Sequence, residues 1–272
     1  MPFALHLPHR AVISVAGLEA EPFLNGLLTN SATMPEGTRR WAALLTPQGK
    51  VIADMILARG PEGFLLDVDA AAAPALLKRL VMFRLRAQVA IDARPDLAVF
   101  AFDGAPDPRS ADAPARSISP RTRASQGELA QYHASRIAAG VPEMGADFGP
   151  EQVFPADINM DLLDGVDFKK GCFVGQEVVS RMKRRGVARR RTLVAEVSQL
   201  VSPTPIEIEA DGFGIGELTS SGGGLGLARL RIDRLAQAEA RGQALTAGGE
   251  AIGIRKPAWL AAELDALKEA NA

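Results

Sequence analysis

The chain has 272 residues, 47% of them hydrophobic and 23% charged, with a formal net charge of −1. That is enough for one large domain or two modest ones with real cores, and the balanced charge excludes a partner chosen by overall electrostatics, whether nucleic acid or membrane. No apolar run approaches the roughly 20 residues that span a bilayer, and residues 1–10, with Pro2 and Pro8, read as neither secretory signal nor transit peptide, so a cytoplasmic location is the default expectation.

In chain order, residues 11–16 predict a strand and 18–29 an amphipathic helix, with Leu18, Phe23, Leu24, Leu27 and Leu28 near helical spacing. The apolar runs 41–46 and 51–57, joined by Pro47-Gln48-Gly49-Lys50, predict a β-hairpin. A strand at 64–68, an Ala- and Leu-rich helix at 71–86 and strands at 88–91 and 97–102 follow. Residues 103–127 carry Pro106, Pro108, Pro114 and Pro120 among Asp, Arg, Ser and Ala, and read as a loop-rich surface connection. The helix at 129–139 stops at Gly140-Val141-Pro142.

After Arg191 short β-prone runs alternate with Gly and Pro at 192–197, 206–208, 214–219, 225–228, 243–246 and 251–254, with one helix near 232–240. This spacing predicts a small sandwich or barrel. The boundary falls near residue 190, giving regions 1–190 and 191–272. The first region lacks regular βαβ alternation, so the fold class is α+β. Gly222-Gly223-Gly224 lacks the following Lys-Ser/Thr of a phosphate loop and reads as a hairpin turn.

The chain has one cysteine, Cys172, and three histidines, His6, His9 and His133. One cysteine makes no intramolecular disulfide, and an iron–sulfur cluster takes about four protein ligands. No metal site within one chain is expected, so any metal role for Cys172 is shared with a second chain or an exogenous ligand. Gly171 and Gly175 bracket Cys172, Lys169 and Lys170 precede it, and residues 176–185 have helical character. A helix N-terminus and neighbouring cations both favour thiolate. A buried cysteine acting as a small hydrophobe between Gly171 and Phe173 is the other reading.

The segment Lys170-Gly171-Cys172-Phe173-Val174-Gly175-Gln176-Glu177 closely resembles the signature of the YgfZ family, and the resemblance extends over most of the chain. It takes in residues 23–30, 45–50, 136–142, 154–159, 216–220 and 225–230. The family is similar in fold to the T protein of the glycine cleavage system, a tetrahydrofolate-dependent aminomethyltransferase. The resemblance therefore implies a ring-like folate-binding fold with a small C-terminal β-barrel domain. The cofactor it implies is tetrahydrofolate or its 5,10-methylene or 5-formyl derivative. It also implies a role in assembling or repairing iron–sulfur proteins, including tRNA-modifying enzymes, with Cys172 as the functional thiol.

The transferase's aspartate pair corresponds here to Ala53-Asp54, so one carboxylate is absent, and its pterin-side asparagine falls near Asp69. This favours a binding factor over a classical enzyme, with folate-dependent one-carbon transfer as the alternative reading. A folate site needs a flat slot, groups for the pterin edge and a cation for the glutamate tail. The candidates are Asp54 and Asn159 for the pterin, Tyr132 with His133 for stacking and Arg136 for the tail. Arg181, Lys183, Arg184, Arg185, Arg189, Arg190 and Arg191 form a local basic run. It reads as a solvated helix face or as a docking site for a client or assembly protein, the folate tail or tRNA.

Overall fold

The computed structural model describes residues 3–184, 188–198, 205–261 and 264. The first region runs β1 (Leu5–His6), β2 (Arg10–Ala16), α1 (Ala20–Leu27), β3 (Arg39–Leu45), β4 (Val51–Gly60), β5 (Gly63–Asp69), α2 (Ala73–Arg84), β6 (Ala90–Ala93), β7 (Leu97–Ala105), β8 (Arg116–Pro120), α3 (Leu129–Ala138), a 3-10 turn at Pro155–Ile158 and α4 (Gln176–Arg184). An antiparallel five-stranded sheet has the order β3-β4-β5-β2-β6, and β1-β7-β8 form a second, three-stranded sheet. Helices lie between antiparallel strands rather than crossing over between parallel ones, as the α+β reading expects.

The Pro47–Lys50 turn joins β3 to β4 as expected, with the Thr46 N–H donating to Lys50 O at 2.8 Å and the Gly49 N–H to Thr46 O at 2.8 Å. From Val51 to Leu57, β4 is buried without alternation. Such a run needs cover on both faces. The core around β4 draws Leu24 from α1, Leu76 and Leu80 from α2, and Val153, Ile158, Met160 and Phe173 from later in the chain.

Two elements differ from the sequence reading. Helix α1 begins at Ala20, and Leu18 is 90% exposed rather than on its apolar face. The Glu19 carboxylate accepts the Gln88 N–H at 2.5 Å and the Ala20 N–H bonds Gly17 O at 3.1 Å, which leaves Leu18 on the crest of a turn. The 103–127 connection contains β8 and the end of β7, and its Asp107, Arg109 and Arg116 are buried. The composition looks solvated, yet these charges neutralise one another and more distant partners.

The second region runs β9 (Arg190–Val197), β10 (Ile206–Ala210), β11 (Phe213–Gly222), β12 (Leu225–Arg231), α5 (Ile232–Ala240), β13 (Leu245–Ala247) and β14 (Glu250–Ile254). Its strands close into a barrel in the order β10-β11-β12-β9-β14-β13. Gly222 pairs with Leu225 across the β11–β12 turn, where Gly223 and Gly224 have φ of 63° and 78°. Those angles are what a two-residue hairpin turn of mirror-image type requires. Leu193, Ala195, Ile208, Leu218, Ala228 and Leu230 fill the barrel, and Leu235 of α5 joins the same core.

The two regions meet at the 3-10 turn. Asn159, left-handed at φ 63°, donates from Nδ2 to Thr192 O at 2.6 Å, and Thr192 Oγ1 donates to Asp157 O at 2.8 Å. Arg191 bonds Asp161 at 2.6 Å and Ala156 O at 3.0 Å. Alanine tolerates the left-handed region poorly and supplies no donor. Asn159→Ala is expected to lower unfolding stability by about 1–3 kcal/mol, measured by urea denaturation, and to raise hydrogen exchange at Thr192 ahead of the β2–β5 amides.

Candidate functional site

Cys172 is exposed, so the reading of it as a buried hydrophobe does not hold. Its neighbour Phe173 is the buried member of the segment. The Phe173 carbonyl accepts the Gln176 N–H at 3.2 Å at the start of α4, so the thiol precedes a helix N-terminus as expected. The loop is held at both ends. Gly175 has φ 80°, and a methyl there would meet Thr46 O at 2.6 Å and Gly49 Cα at 3.2 Å. Glycine is needed because the loop lies against the β3–β4 turn. At the other end Lys170 Nζ donates to the carbonyls of Asn25, Leu28 and Asn30 at 2.7, 2.6 and 3.0 Å, closing the C-terminal end of α1. Burial pushes its ammonium down to about 8, against the opposing pull of Asp167. The charge of Lys170 is thus committed to α1, and Lys169 is the exposed cation before the thiol.

Gly171 has open space around its Cα, and no steric demand accounts for it. Gln176 is half-buried and Glu177 exposed on the first turn of α4. In the basic run Arg181, Lys183 and Arg184 lie on α4, Arg189 and Arg190 are exposed at the start of β9, and Arg191 is buried on Asp161. Arg185 lies outside the described residues.

A buried ion cluster centres on Glu143, which has no exposed surface. Arg116 bonds Glu143 and the Tyr132 hydroxyl, and Tyr132 donates to Glu143 Oε1 at 2.5 Å. Arg116 also meets Asp67 at 2.8 Å and Asp107 at 3.1 Å. Arg10 donates to Asp67 at 2.6 Å, and Arg109 grips Asp107 through bonds of 2.9 and 2.7 Å. Arg136 bonds Asp147 at 2.6 Å, and Asp147 also accepts from Thr219 at 2.7 Å and Ser220 at 2.5 Å of β11. His9 Nε2 reaches Glu143 Oε2 at 3.3 Å. Burial alone would raise Glu143; Arg116, the His9 hydrogen bond, Arg10 and Arg109 reverse this and hold it well below the usual carboxylate range. Burial likewise opposes, and Arg109 and Arg116 overcome, a shift that leaves Asp107 at about 2. Burial raises the Tyr132 hydroxyl, so it stays protonated and donates.

The cluster absorbs two folate candidates. Tyr132 is 1% exposed and Arg136 is buried on Asp147, whereas His133, which packs with His9 at 5.6 Å between ring centres, is half-buried, as is His9. Asp69 Oδ1 accepts the Ala72 N–H at 2.9 Å just before α2, and Asn159 is committed to the junction with β9. Asp54 differs from these. It is 1% exposed, Trp41 Nε1 donates to its Oδ2 at 2.9 Å, and its Oδ1 has no partner among the described residues. Burial raises its pKa, against Arg10 and Arg109. Arg10 Nη1, whose charge acts on Asp54, is also buried without a partner. Sequence reasoning missed Arg10, Asp67, Asp107, Arg109, Arg116, Glu143 and Asp147; the one available signal was the charge of a segment otherwise rich in proline.

A profile described as the CAF17 C-terminal β-barrel domain matches residues 189–262. Over 281 aligned residues the chain is 32% identical to the mitochondrial iron–sulfur cluster assembly factor IBA57 of Mus musculus, covering 84% of this chain and 77% of that protein. The Homo sapiens protein of the same name is 30% identical, with the same coverage of 84% and 77%. The chain belongs to the IBA57 family. Its fold matches the crystal structure of glycine cleavage system aminomethyltransferase T from Bartonella henselae, with a TM-score of 0.71, 17% identity and coverage of 93% of this chain and 84% of that one. At that identity the likeness is one of fold. The IBA57 and CAF17 matches make the YgfZ-type resemblance more specific. They also correct the cytoplasmic expectation: the relatives are named as mitochondrial proteins, and residues 1–10 are no guide to compartment.

Two outcomes follow for an IBA57-family chain built this way. Removing one partner of a buried ion pair leaves an uncompensated charge, so Asp107→Asn should cost about 3–5 kcal/mol at pH 7. Because the folded-state pKa of Asp107 is depressed, its contribution is present above the unfolded value near 4 and lost as pH falls toward 2. Urea titrations of both proteins should therefore converge across that window. Lys170→Met removes three charged donors and should cost about 1–3 kcal/mol. It should also change the rate at which Cys172 reacts with a thiol reagent, by loosening the loop without touching the thiol.

Proposed function

We propose that this IBA57-family chain is an assembly or repair factor for iron–sulfur proteins that binds a tetrahydrofolate and offers Cys172 to a cluster completed by a partner protein. The observation that carries the reading is the single thiol, exposed on a loop that Lys170 and Gly175 fix to α1 and the β3–β4 turn. One thiolate leaves most of a cluster's coordination to others, so the partner or an exogenous ligand supplies the rest. The names of its relatives, iron–sulfur cluster assembly factors, support the same reading. Clients on this reading include tRNA-modifying enzymes, and exposed cations of the basic run, Arg181, Lys183, Arg184, Arg189 and Arg190, supply docking charge for client, assembly protein or tRNA.

The folate part rests on Asp54. A pterin edge offers N–H donors beside a carbonyl acceptor. Asp54 Oδ1 is an unmet acceptor and Arg10 Nη1 an unmet donor, so this pair fits the edge in kind. Tetrahydrofolate or its 5,10-methylene or 5-formyl derivative shares that edge, and the half-buried His133 supplies a ring. Bound there, a reduced folate would supply one-carbon or redox chemistry. Ala53, buried beside Asp54, supplies no second carboxylate, which weighs against aminomethyl transfer.

Cells lacking the native factor provide the test. Cys172→Ser and Cys172→Ala are expected to fail in restoring the activity of cluster-dependent enzymes while the proteins still fold and accumulate. Full restoration by either would sink the thiol role. Asp54→Asn should weaken tetrahydrofolate binding about tenfold, by calorimetry, through loss of a charge-assisted hydrogen bond; unchanged affinity removes Asp54 from the site.

A further inference from the structure

The outer face of the barrel carries a feature that the Cys172 loop and Asp54 do not use. An open groove of about 350 Å³ is lined by Arg190, Arg229, Arg231 and Arg234, together with Glu207 and Glu217. Arg190 and Arg231 lie directly opposite each other in the β9–β12 register. Like charges at such a position repel and weaken the pairing. Arg231 turns its fork onto Asp233 at 3.1 and 2.5 Å, and Arg229 turns onto Glu217 at 3.1 and 2.5 Å. Arg190 has no ion-pair partner among the described residues, and Arg234 has only the Gly214 carbonyl. The groove therefore keeps two exposed guanidinium groups free to bind an anion.

The groove also has a direction. Arg190 and Arg229 act together with Lys50 on Asp157. Lys50 follows Gly49, against which Val178 of α4 packs, at 3.1 Å from a methyl built on Gly49. Arg190 of the groove and Lys50 of the turn that supports the Cys172 loop thus share Asp157 as a common neighbour.

We propose that this barrel groove is a docking site for an acidic segment of a partner protein, held by Arg190 and Arg234 through carboxylate–guanidinium pairs. Arginine's planar fork matches a carboxylate in two-point geometry. The interleaved Glu207 and Glu217 favour a protein segment, since they would accept its N–H groups and lysines and would repel a continuous phosphate backbone. Among the described residues the groove's lining holds no aromatic ring on which a base could stack. The site stands on the barrel alone and does not depend on folate binding or on the thiol.

The full chain should bind a rhodamine-labelled hexa-aspartate peptide, read by fluorescence anisotropy, and rising salt should weaken the binding. The double variant R190Q/R234Q should bind it about tenfold more weakly. R84Q/R86Q, which removes the same charge at and just after the end of α2, should bind as the parent does. All four side chains are exposed, and melting curves confirm that both variants fold. Equal losses in the two variants would mean that net charge alone is read, and would overturn the site. So would unchanged affinity in R190Q/R234Q, absence of saturable binding by the parent, or a hexauridylate that binds as tightly and with the same dependence on Arg190 and Arg234.

Discussion

Glu143 is the point on which the rest of the molecule is built. A fully buried carboxylate is tolerable only with close cations and donors, and this one draws them from every part of the chain. Arg116 comes from β8, Tyr132 from α3 and His9 from the turn before β2. Through Asp67 the same Arg116 reaches β5 and Arg10 of β2. Through Arg136 and Asp147 the cluster extends to Thr219 and Ser220 on the barrel. Two sheets, a helix and the barrel are thus placed by one set of charges. Pulling any one of these elements away leaves an ion of the cluster unpaired away from water.

The Cys172 loop is positioned by a different means. It has no part in the ion cluster and is fixed by backbone groups, with Lys170 on three carbonyls of the α1 end and Gly175 against the β3–β4 turn. This division has a consequence. The cluster is rigid because its partners are strong and buried, whereas the loop's support is partly solvated and includes a lysine whose charge burial disfavours. The signature's lysine and second glycine are thus structural residues that place the exposed Cys172 between them.

What the sequence made legible was what local pattern encodes. The Pro47–Lys50 turn, helix α3 with its stop at Gly140, the Gly223–Gly224 turn and the barrel's short strands all follow from turn chemistry and periodicity over a few residues. The buried role of residues 103–127 was not legible, because proline-rich, charged composition reads as solvent-exposed unless the partners are known. Arg116 finds Asp67 and Glu143 at separations of 49 and 27 residues, beyond any window of pattern reading. The same limit applies to the site. Lys170 beside Cys172 reads as an electrostatic neighbour of the thiol, yet its ammonium turns to α1, some 140 residues earlier in the chain. Asn159 reads as a turn former or a pterin contact. Its left-handed backbone fits the first, and its side chain is taken by Thr192.

Asp54 departs from this pattern of satisfied charge. Asp67, Asp107 and Glu143 are all held below the usual carboxylate range by arginines. Asp54 lies in the same field, of Arg10 and Arg109, yet burial wins and its pKa rises. Its one direct donor is the Trp41 indole, and its other oxygen is unmet. In a cluster where other carboxylates are matched with cations, an unmatched acceptor is a local inconsistency of the kind that marks functional positions. Its burial disfavours the charged form that accepts only, and the protonated carboxyl both accepts and donates.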